Sequence, residues 1–169
     1  HICITLLENN YKLVVIDNEA NSTSKCLFRI KNFFEDKISQ IEKKLIFINS
    51  DLRNYSGLVE IFETLERKNI RIDIVIHLAG LKDMNKSILR SIEYWDNNVI
   101  GSINLFKVME KFNCRNIVFS SSAAIYDARD NQKFNENSKK FPSTPYGLTK
   151  FTIEKILHNL YEGSECPWN

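Results

Sequence analysis

IDIVIHLAG, residues 72–80, is an apolar run that ends in a turn of small residues. An apolar run of this length without alternating polar side chains is typical of a parallel strand buried on both faces. Three other stretches have the same character: YKLVVI (11–16), LIFIN (45–49) and NIVFSSS (116–122). The sequence therefore predicts a set of short parallel strands.

Helical periodicity fills the segments between these strands. Apolar residues recur every three or four positions in five segments, and this spacing is typical of amphipathic helices. The predicted helices cover residues 1–9, 24–43, 56–68, 91–112 and 145–161. Pro145 is expected in the first turn of the last helix, with Ser143 or Thr144 as its cap. Strands that alternate with helices predict an α/β fold with a Rossmann-like, doubly wound parallel sheet covered on both faces.

Composition excludes several classes of protein. The chain has 169 residues, which predicts a single domain, and its 43% hydrophobic content is enough for a real core. The net charge is +2, from 23 basic and 21 acidic residues, so no charge excess favours nucleic acid or an anionic membrane. No apolar run approaches the roughly 20 residues that cross a bilayer, and HICITLL at the start is too short for a signal peptide.

The cysteines and histidines show no metal-ligand spacing. Cys3, Cys26, Cys114 and Cys166 form no C-x-x-C pair, so we interpret them as free thiols in a reducing compartment. The histidines at positions 1, 77 and 158 are far apart along the chain. The sequence therefore predicts no metal site.

The glycine loop of a dinucleotide-binding fold is missing from this chain. Such a fold opens with a strand and G-x-G-x-x-G, but the glycines here, at positions 57, 80, 101, 147 and 163, make no such pattern. The ribose-binding acid normally follows that loop by about 20 residues, and Asp17 ends the first predicted strand. We therefore expect that the chain begins after its own phosphate loop, and that the sheet is incomplete, with the first strand and glycine loop absent.

Tyr146 and Lys150 are the strongest candidates for chemistry. A tyrosine and a lysine four residues apart share one face of a helix, and a nearby ammonium can lower the pKa of a phenol. Ser120, Ser121 and Ser122 end a predicted strand, at the edge of the sheet where ligands bind in this architecture. A surface pair and a polar turn are the alternative interpretations. The combination favours removal of a proton from a substrate alcohol, the step that accompanies hydride transfer.

Several other residues lie where a cofactor would bind, and each has an alternative interpretation. Asp17 can accept both hydroxyls of an adenosine ribose, which favours NAD over NADP, or it is a solvated strand-end carboxylate. Asp51 can face adenine or cap a helix. Gly80 allows close approach of a cofactor or simply forms a tight turn, and Lys82 can meet a phosphate or remain solvated. The pair Asn97-Asn98 is unusual in a helix, and we interpret it as bonding backbone near the sheet.

At these positions the chain resembles the extended short-chain dehydrogenase/reductase family, in its NAD-dependent epimerase/dehydratase branch, and within it the UDP-glucose 4-epimerases. The resemblance covers essentially the whole chain. The segments that carry it are VVIDNEANS (14–22), INSDLRN (48–54), VIHLAGLKDMNKS (75–87), YWDNNVIGSINL (94–105), NIVFSSSAAIY (116–126) and TPYGLTKFTIEKIL (144–157).

The resemblance implies a cytoplasmic enzyme of galactose metabolism that interconverts UDP-glucose and UDP-galactose by transient oxidation at sugar C4, with tightly bound NAD. It implies that Tyr146 and Ser122 contact the substrate and move its proton, while Lys150 holds the nicotinamide ribose and lowers the pKa of Tyr146. A homodimer is implied through the helices near 91–112 and 145–162. The implied cofactor-binding residues are Asp17, Asn18, Asn21, Ser22, Asp51, Leu52, Leu78, Ala79, Gly80, Lys82 and Asn97, together with Tyr146 and Lys150.

Departures from the family pattern limit these expectations. Asp127 stands where the family has a glycine, and Ala124 where it has a threonine that assists substrate binding. The opening strand and everything past Trp168 are absent, so residues 1–169 are expected to be a partial NAD-binding domain that lacks its C-terminal substrate domain and is inactive alone. Another nucleotide-sugar epimerase or a dehydratase remains an alternative, although Ala123-Ala124 after Ser122 argues against dehydratases. A non-catalytic truncated remnant is the other alternative.

The missing loop leads to a testable expectation about the isolated chain. The amides at a helix N-terminus hold the pyrophosphate of a dinucleotide, and the chain lacks that loop and helix start. We therefore expect the purified 169-residue chain to be poorly stable and to bind NAD weakly. Micromolar affinity for NAD in a calorimetric titration would contradict this expectation.

Overall fold

The predicted strands form two separate parallel pairs in the computed structural model, which describes residues 1–127, 133–163 and 167–169. Leu13–Asp17 (β1) pairs with Leu45–Asn49 (β2), in register from Leu13 opposite Leu45. Ile74–His77 (β3) pairs with Asn116–Phe119 (β4), and His77 lies opposite Phe119 in the final pair. The α/β class and the parallel direction of the strands are thus confirmed.

The strands do not form one continuous sheet within the described residues. Each of the four strands is paired along one edge only, and each pair is a two-stranded sheet of its own. Contacts divide the chain into two compact units, His1–Asp51 and Leu52–Asn169. The sheet that the sequence predicts to be incomplete is therefore two short sheets within the described residues.

The first unit packs three helices against its strand pair. The helices are Ile2–Glu8 (α1), Lys25–Phe34 (α2) and Ile41–Lys44 (α3). Its buried core consists of Leu7, Leu27, Phe34, Ile41 and Leu45. The amphipathic segment predicted over 24–43 is two helices rather than one: α2 ends at Phe34, and α3 begins at Ile41, directly after Gln40, which has a left-handed φ of 57°.

The second unit carries the remaining helices. They are Tyr55–Arg67 (α4), Met84–Leu89 (α5), Ser91–Tyr94 (α6), Gly101–Lys111 (α7) and Pro145–Gly163 (α8), with a 3₁₀ turn at Ala123–Ile125. Its buried core consists of Val99, Leu105, Phe106, Met109, Cys114, Ile153 and Trp168. Helix α5 was not predicted from periodicity; the Asp83 side chain caps it by accepting from the Lys86 amide at 3.0 Å.

The helix predicted over 91–112 contains a widened turn. Residues Trp95–Ile100 form a π-helical segment between α6 and α7. π-Turns inside helices are rare and occur frequently at functional sites. This turn contains Asn97 and Asn98, the pair that the sequence marked as unusual for a helix.

Two findings concern the thiols and the helices of the described residues. Cys3, Cys26 and Cys114 are free, and Cys166 lies outside the described residues. Among the described residues, no helix combines the length and the apolar character that a bilayer span would need.

Candidate active site

Tyr146 and Lys150 lie one turn apart near the start of α8 and are both withdrawn from water. Tyr146 is 9% exposed and Lys150 only 5% exposed, so the alternative of a surface pair is wrong. The helix starts as predicted with Pro145, and the cap is Thr144, whose Oγ1 accepts from the Gly147 amide at 3.1 Å. The cap and the proline together set the direction of the turn that carries Tyr146.

The Lys150 ammonium is held by a carbonyl and an aromatic ring at the end of β4. Its Nζ donates to the Ser120 carbonyl at 2.8 Å and lies 4.7 Å from the centroid of the Phe119 ring. Burial disfavours the charged form and lowers the pKa of Lys150 to about 8. Lys150 is therefore a cation at neutral pH, fixed in place beside the helical turn of Tyr146.

Ser122 begins the turn against which α8 packs. Its Oγ accepts from the Ala124 amide at 3.2 Å and so caps the 3₁₀ turn Ala123–Ile125. Helix α8 approaches this turn closely at Gly147, where an added Cβ would lie 2.4 Å from the Ala124 carbonyl oxygen. The glycine beside Tyr146 therefore allows the helix to reach the segment that Ser122 starts.

Replacing Gly147 with alanine is expected to destabilise the protein by about 1–3 kcal/mol or more, because the new methyl group would overlap backbone atoms that cannot rotate away. The measurement is the free energy of unfolding in urea. Gly163→Ala is the matched control, since Gly163 ends the same helix and an added Cβ would meet nothing within 4 Å. Equal stability of the two variants would contradict the close packing at Gly147.

The loop after β3 is held by Asn98 from the π-turn. Asn98 Oδ1 accepts from the Leu81 amide at 2.7 Å, and its Nδ2 donates to the Leu81 carbonyl at 2.9 Å. Gly80 has a φ of 152° and approaches so closely that an added Cβ would lie 3.2 Å from Asn98 Oδ1. The interpretation that the asparagine pair bonds backbone is confirmed for Asn98, while Asn97 donates to the Asn98 side chain at 3.1 Å.

Thr149 joins this loop to α8 and was missed by the sequence analysis. Its Oγ1 accepts from Asn98 Nδ2 at 3.1 Å and donates to the Tyr146 carbonyl at 2.7 Å. Thr149 is fully buried. One amide side chain therefore links the loop after β3 with the turn that carries Tyr146 and Lys150. A threonine inside a helix carries no sequence signal for such a link.

His77 is a second residue that the sequence did not bring into the site. It is the last residue of β3, is 3% exposed, and its Nε2 lies 2.8 Å from the Ser102 hydroxyl. Burial, and secondarily the charge of Lys150, lower the pKa of His77 to about 4. In the sequence, the histidines were considered only as metal ligands. The residues that surround His77 are distant along the chain, so no local pattern indicated them.

The depressed pKa of His77 predicts a loss of stability in acid. The unfolded chain takes up the proton near pH 6.5, whereas the folded one does so only near 4, so stability is intact above 6.5 and falls as the pH drops toward 4. Between pH 7 and 4.5, the free energy of unfolding of the wild type should fall by on the order of 2 kcal/mol more than that of the His77→Gln variant. Urea unfolding at both pH values is the measurement. His158 is exposed, so His158→Gln is the control and should lose as much stability in acid as the wild type. If His158→Gln abolished the acid loss and His77→Gln did not, His77 would not be its source.

In the first unit, the candidate cofactor residues form two hydrogen-bonded pairs. Asp17 ends β1, and its Oδ1 accepts from the Ser22 hydroxyl at 3.0 Å. Asn18 Nδ2 donates to Asp51 Oδ2 at 2.9 Å. The alternative that Asp51 caps a helix is wrong for α4, whose cap is Asn54. Asn21 is exposed beside these residues.

These positions suit a dinucleotide. A carboxylate at the end of β1 can accept ribose hydroxyls, and the glycine after β3 leaves open backbone for a flat group. In the second unit, Leu78, Ala79 and Lys82 are exposed around Gly80, and Leu52 packs against Gly101, where an added Cβ would lie 3.2 Å from Leu52 Cβ. The residues of each unit, taken by themselves, therefore fit the cofactor that the sequence implied.

Comparison with known proteins gives consistent matches over the whole chain. The profile of the GDP-mannose 4,6 dehydratase family matches residues 1–168. A UDP-glucose 4-epimerase of Pisum sativum is 36% identical over 168 residues, which cover 99% of this chain and 45% of that protein. The UDP-glucose 4-epimerase of Bacillus subtilis is 35% identical over 161 residues, covering 95% of this chain and 44% of that protein.

Solved structures show the same similarity. The UDP-glucose 4-epimerase from Bifidobacterium longum in complex with NAD⁺ and UDP has a TM-score of 0.82 and 32% identity, over 94% of this chain and 44% of that one. The enzyme from Stenotrophomonas maltophila with bound NAD and formylated UDP-arabinopyranose has a TM-score of 0.81 and 28% identity, with the same two coverages. This chain therefore spans less than half the length of the relatives it matches.

Proposed function

The chain belongs to the GDP-mannose 4,6 dehydratase family, and on that premise we propose that it is part of an NAD-dependent isomerase that interconverts UDP-glucose and UDP-galactose through transient oxidation at sugar C4. The observation that carries the proposal is the buried Tyr146 and Lys150 pair at the end of β4. Relatives named UDP-glucose 4-epimerase at 35–36% identity favour this activity over others of the family.

Tyr146 is the group that takes and returns the proton of the sugar hydroxyl. Its side chain is 9% exposed, so bulk water is largely excluded from that proton, and a cation one helical turn away lies on the same face. Ser122 presents its hydroxyl at the start of the turn that α8 contacts through Gly147. In this role, Ser122 binds the substrate oxygen and shares its proton with Tyr146.

Lys150 supplies that cation. The Ser120 carbonyl and the Phe119 ring hold its ammonium without neutralising it, so its charge remains available to the phenolate and to ribose hydroxyls. NAD, when bound, supplies the group that accepts the hydride from C4 and returns it. The protein moves only the proton and keeps the charges in place.

The cofactor is held by the remaining candidate residues. Asp17 accepts the ribose hydroxyls, with its orientation set by Ser22, and Asn18 and Asp51 act as a pair nearby in the same unit. In the second unit, taken by itself, Gly80 and the exposed residues beside it offer a cofactor contact, and Asn98 holds this loop through Leu81. We take residues 1–169 as part of an NAD-binding domain.

We also propose a role in galactose metabolism and a cytoplasmic location, and we propose that the protein forms a homodimer. Three apolar side chains are exposed in the second unit: Ile92 at 80%, Ile100 at 47% and Leu148 at 41%. Their exposure favours burial against a second copy. The three free thiols favour a reducing compartment. Sedimentation of the protein at several concentrations measures the assembly.

A chimera is the direct test of the activity. Residues 1–168 replace the matching segment of the Bacillus subtilis UDP-glucose 4-epimerase, which this chain resembles over 161 residues. We expect the chimera to convert UDP-galactose into UDP-glucose, as read by chromatography of the sugar nucleotides. A folded chimera that binds NAD but produces no UDP-glucose would overturn the proposed function.

A dehydratase is the second candidate, because the matching profile is named for one. Dehydration would release a product lighter than the substrate by one water, so mass spectrometry of the same reaction separates the two chemistries. Ala123 and Ala124 follow Ser122, and neither can supply the acid that eliminates water. We therefore expect the product to have the mass of the substrate. A chimera that binds NAD and gives neither product would favour a non-catalytic remnant.

A further inference from the structure

A series of hydrogen bonds connects α7 with Lys150 through the ends of β3 and β4. The Ser102 hydroxyl lies 2.8 Å from His77 Nε2, and the His77 carbonyl accepts from the Ser120 amide at 3.1 Å. The Ser120 carbonyl then accepts from Lys150 Nζ at 2.8 Å. Ser102, His77 and Lys150 are 1%, 3% and 5% exposed. Water therefore competes little for any of these side chains.

The hydrogen-bond directions along this series follow from the Ser102 hydroxyl. Ser102 Oγ donates its hydrogen to the Asn98 carbonyl. A hydroxyl has one hydrogen, so Ser102 can only accept from His77. His77 therefore donates through Nε2, and its pKa of about 4 keeps the ring neutral at pH 7. The ring is further enclosed by Phe106 and Phe119, with centroid distances of 6.2 and 5.5 Å.

His77 is also the last anchor of the strand pair. The β3–β4 register ends with His77 opposite Phe119, and the next peptide carries the Ser120 carbonyl that binds Lys150. The bond from the Ser120 amide to the His77 carbonyl ties residue Ser120, on the amino side of its own carbonyl, to the end of β3. Movement of His77 would therefore move the Ser120 carbonyl directly.

We propose that His77 and Ser102 are positioning residues for Lys150. Ser102 ties the imidazole to α7, the imidazole fixes the end of β3, and the His77 backbone aims the Ser120 carbonyl at the ammonium. Neither side chain touches the substrate in this role. The catalytic meaning of the inference rests on the proposed function, in which Lys150 is the cation beside Tyr146, but the geometry itself is tested separately.

Ser102→Ala tests the arrangement, because it removes the acceptor of the imidazole and little volume. In the 169-residue chain with isotope-labelled lysines, NMR titration follows the ε-methylene of Lys150. We expect the pKa of Lys150 to rise from about 8 toward the ordinary 10.5 as the ammonium reaches water. Hydrogen exchange of the Ser120 amide should accelerate about fivefold, as for the loss of one ordinary hydrogen bond.

Val108→Ala is the matched control. Val108 is fully buried on the same helix but lies outside the series, so its truncation lowers stability without releasing the imidazole. We expect it to leave the pKa of Lys150 unchanged. A Lys150 pKa that is unaltered by Ser102→Ala, or raised equally by Val108→Ala, would overturn the proposal.

A second pair of variants applies if Ser102→Ala does not fold. His77→Gln keeps an N–H donor for Ser102, whereas His77→Leu removes it. The proposal requires a low Lys150 pKa in His77→Gln and a raised one in His77→Leu, and equal values in both would overturn it. These titrations need neither NAD nor sugar, so an inactive chimera would count against the proposed function and not against the positioning of Lys150.

Discussion

Tyr146→Phe is expected to lower epimerisation by the chimera by roughly 10²–10⁴-fold, which is the usual contribution of a positioned acid–base group. The substitution keeps the buried ring, which is 9% exposed in the wild type, and removes only the hydroxyl. Binding of NAD should remain within about threefold, because no backbone group of the helix is disturbed. The measurement is kcat for UDP-galactose together with a titration of NAD.

Tyr161→Phe provides the matched control for this result. Tyr161 lies on the same helix and is 59% exposed, so loss of its hydroxyl should leave kcat unchanged. A Tyr146→Phe chimera that retained the wild-type kcat would exclude Tyr146 as the proton-transferring group. Loss of NAD binding together with activity would instead indicate a structural role for its hydroxyl.

Lys150→Met is expected to lower kcat by about 10²-fold or more and at the same time to stabilise the protein. The loss of activity follows from removal of the cation that stabilises charge in a buried site. The gain in stability follows because Lys150 is only 5% exposed and its charge is disfavoured by burial. A pKa of about 8 in place of 10.5 corresponds to on the order of 3 kcal/mol at neutral pH. The lost bond to the Ser120 carbonyl reduces the gain.

The pH dependence identifies Lys150 as the source of this gain. Below pH 8 the folded protein carries the buried charge at full cost, while between about 8 and 10.5 only the unfolded chain holds the proton. Stability of the wild type therefore rises with pH through this window. The advantage of Lys150→Met should be largest at pH 7 and shrink by pH 10, as measured by urea unfolding.

The exposed Lys155 of the same helix serves as the control. Lys155→Met removes a solvated charge, so neither kcat nor the pH dependence of stability should change. A Lys150→Met variant that is less stable than the wild type at pH 7 would refute the claim that the buried charge of Lys150 lowers the stability of the folded protein. A substitution that lowers activity but raises stability indicates that the original residue serves the chemistry rather than the fold.

Most elements could be predicted from the sequence because their signals are local. The apolar runs that became β1 to β4, the periodicity of α4 and the Pro145 start of α8 depend only on neighbours along the chain. Tyr146 and Lys150 were predicted as a pair because helical spacing alone puts them on one face. The break between Phe34 and Ile41, which divides the helix predicted over 24–43, carries no such signal, since the apolar periodicity continues across it.

What the sequence by itself determined is most of the elements and the choice of Tyr146, Lys150 and Asp17 as candidate site residues, because spacing and strand ends are read one segment at a time. Only the tertiary structure decided that Lys150 is buried against the Ser120 carbonyl, that Asn98 links Leu81 to Thr149, and that His77 meets Ser102. These partners lie 17 to 51 positions apart. Burial and hydrogen bonding between such distant residues follow from how strands and helices pack, and that packing also sets the pKa values on which the proposed chemistry depends.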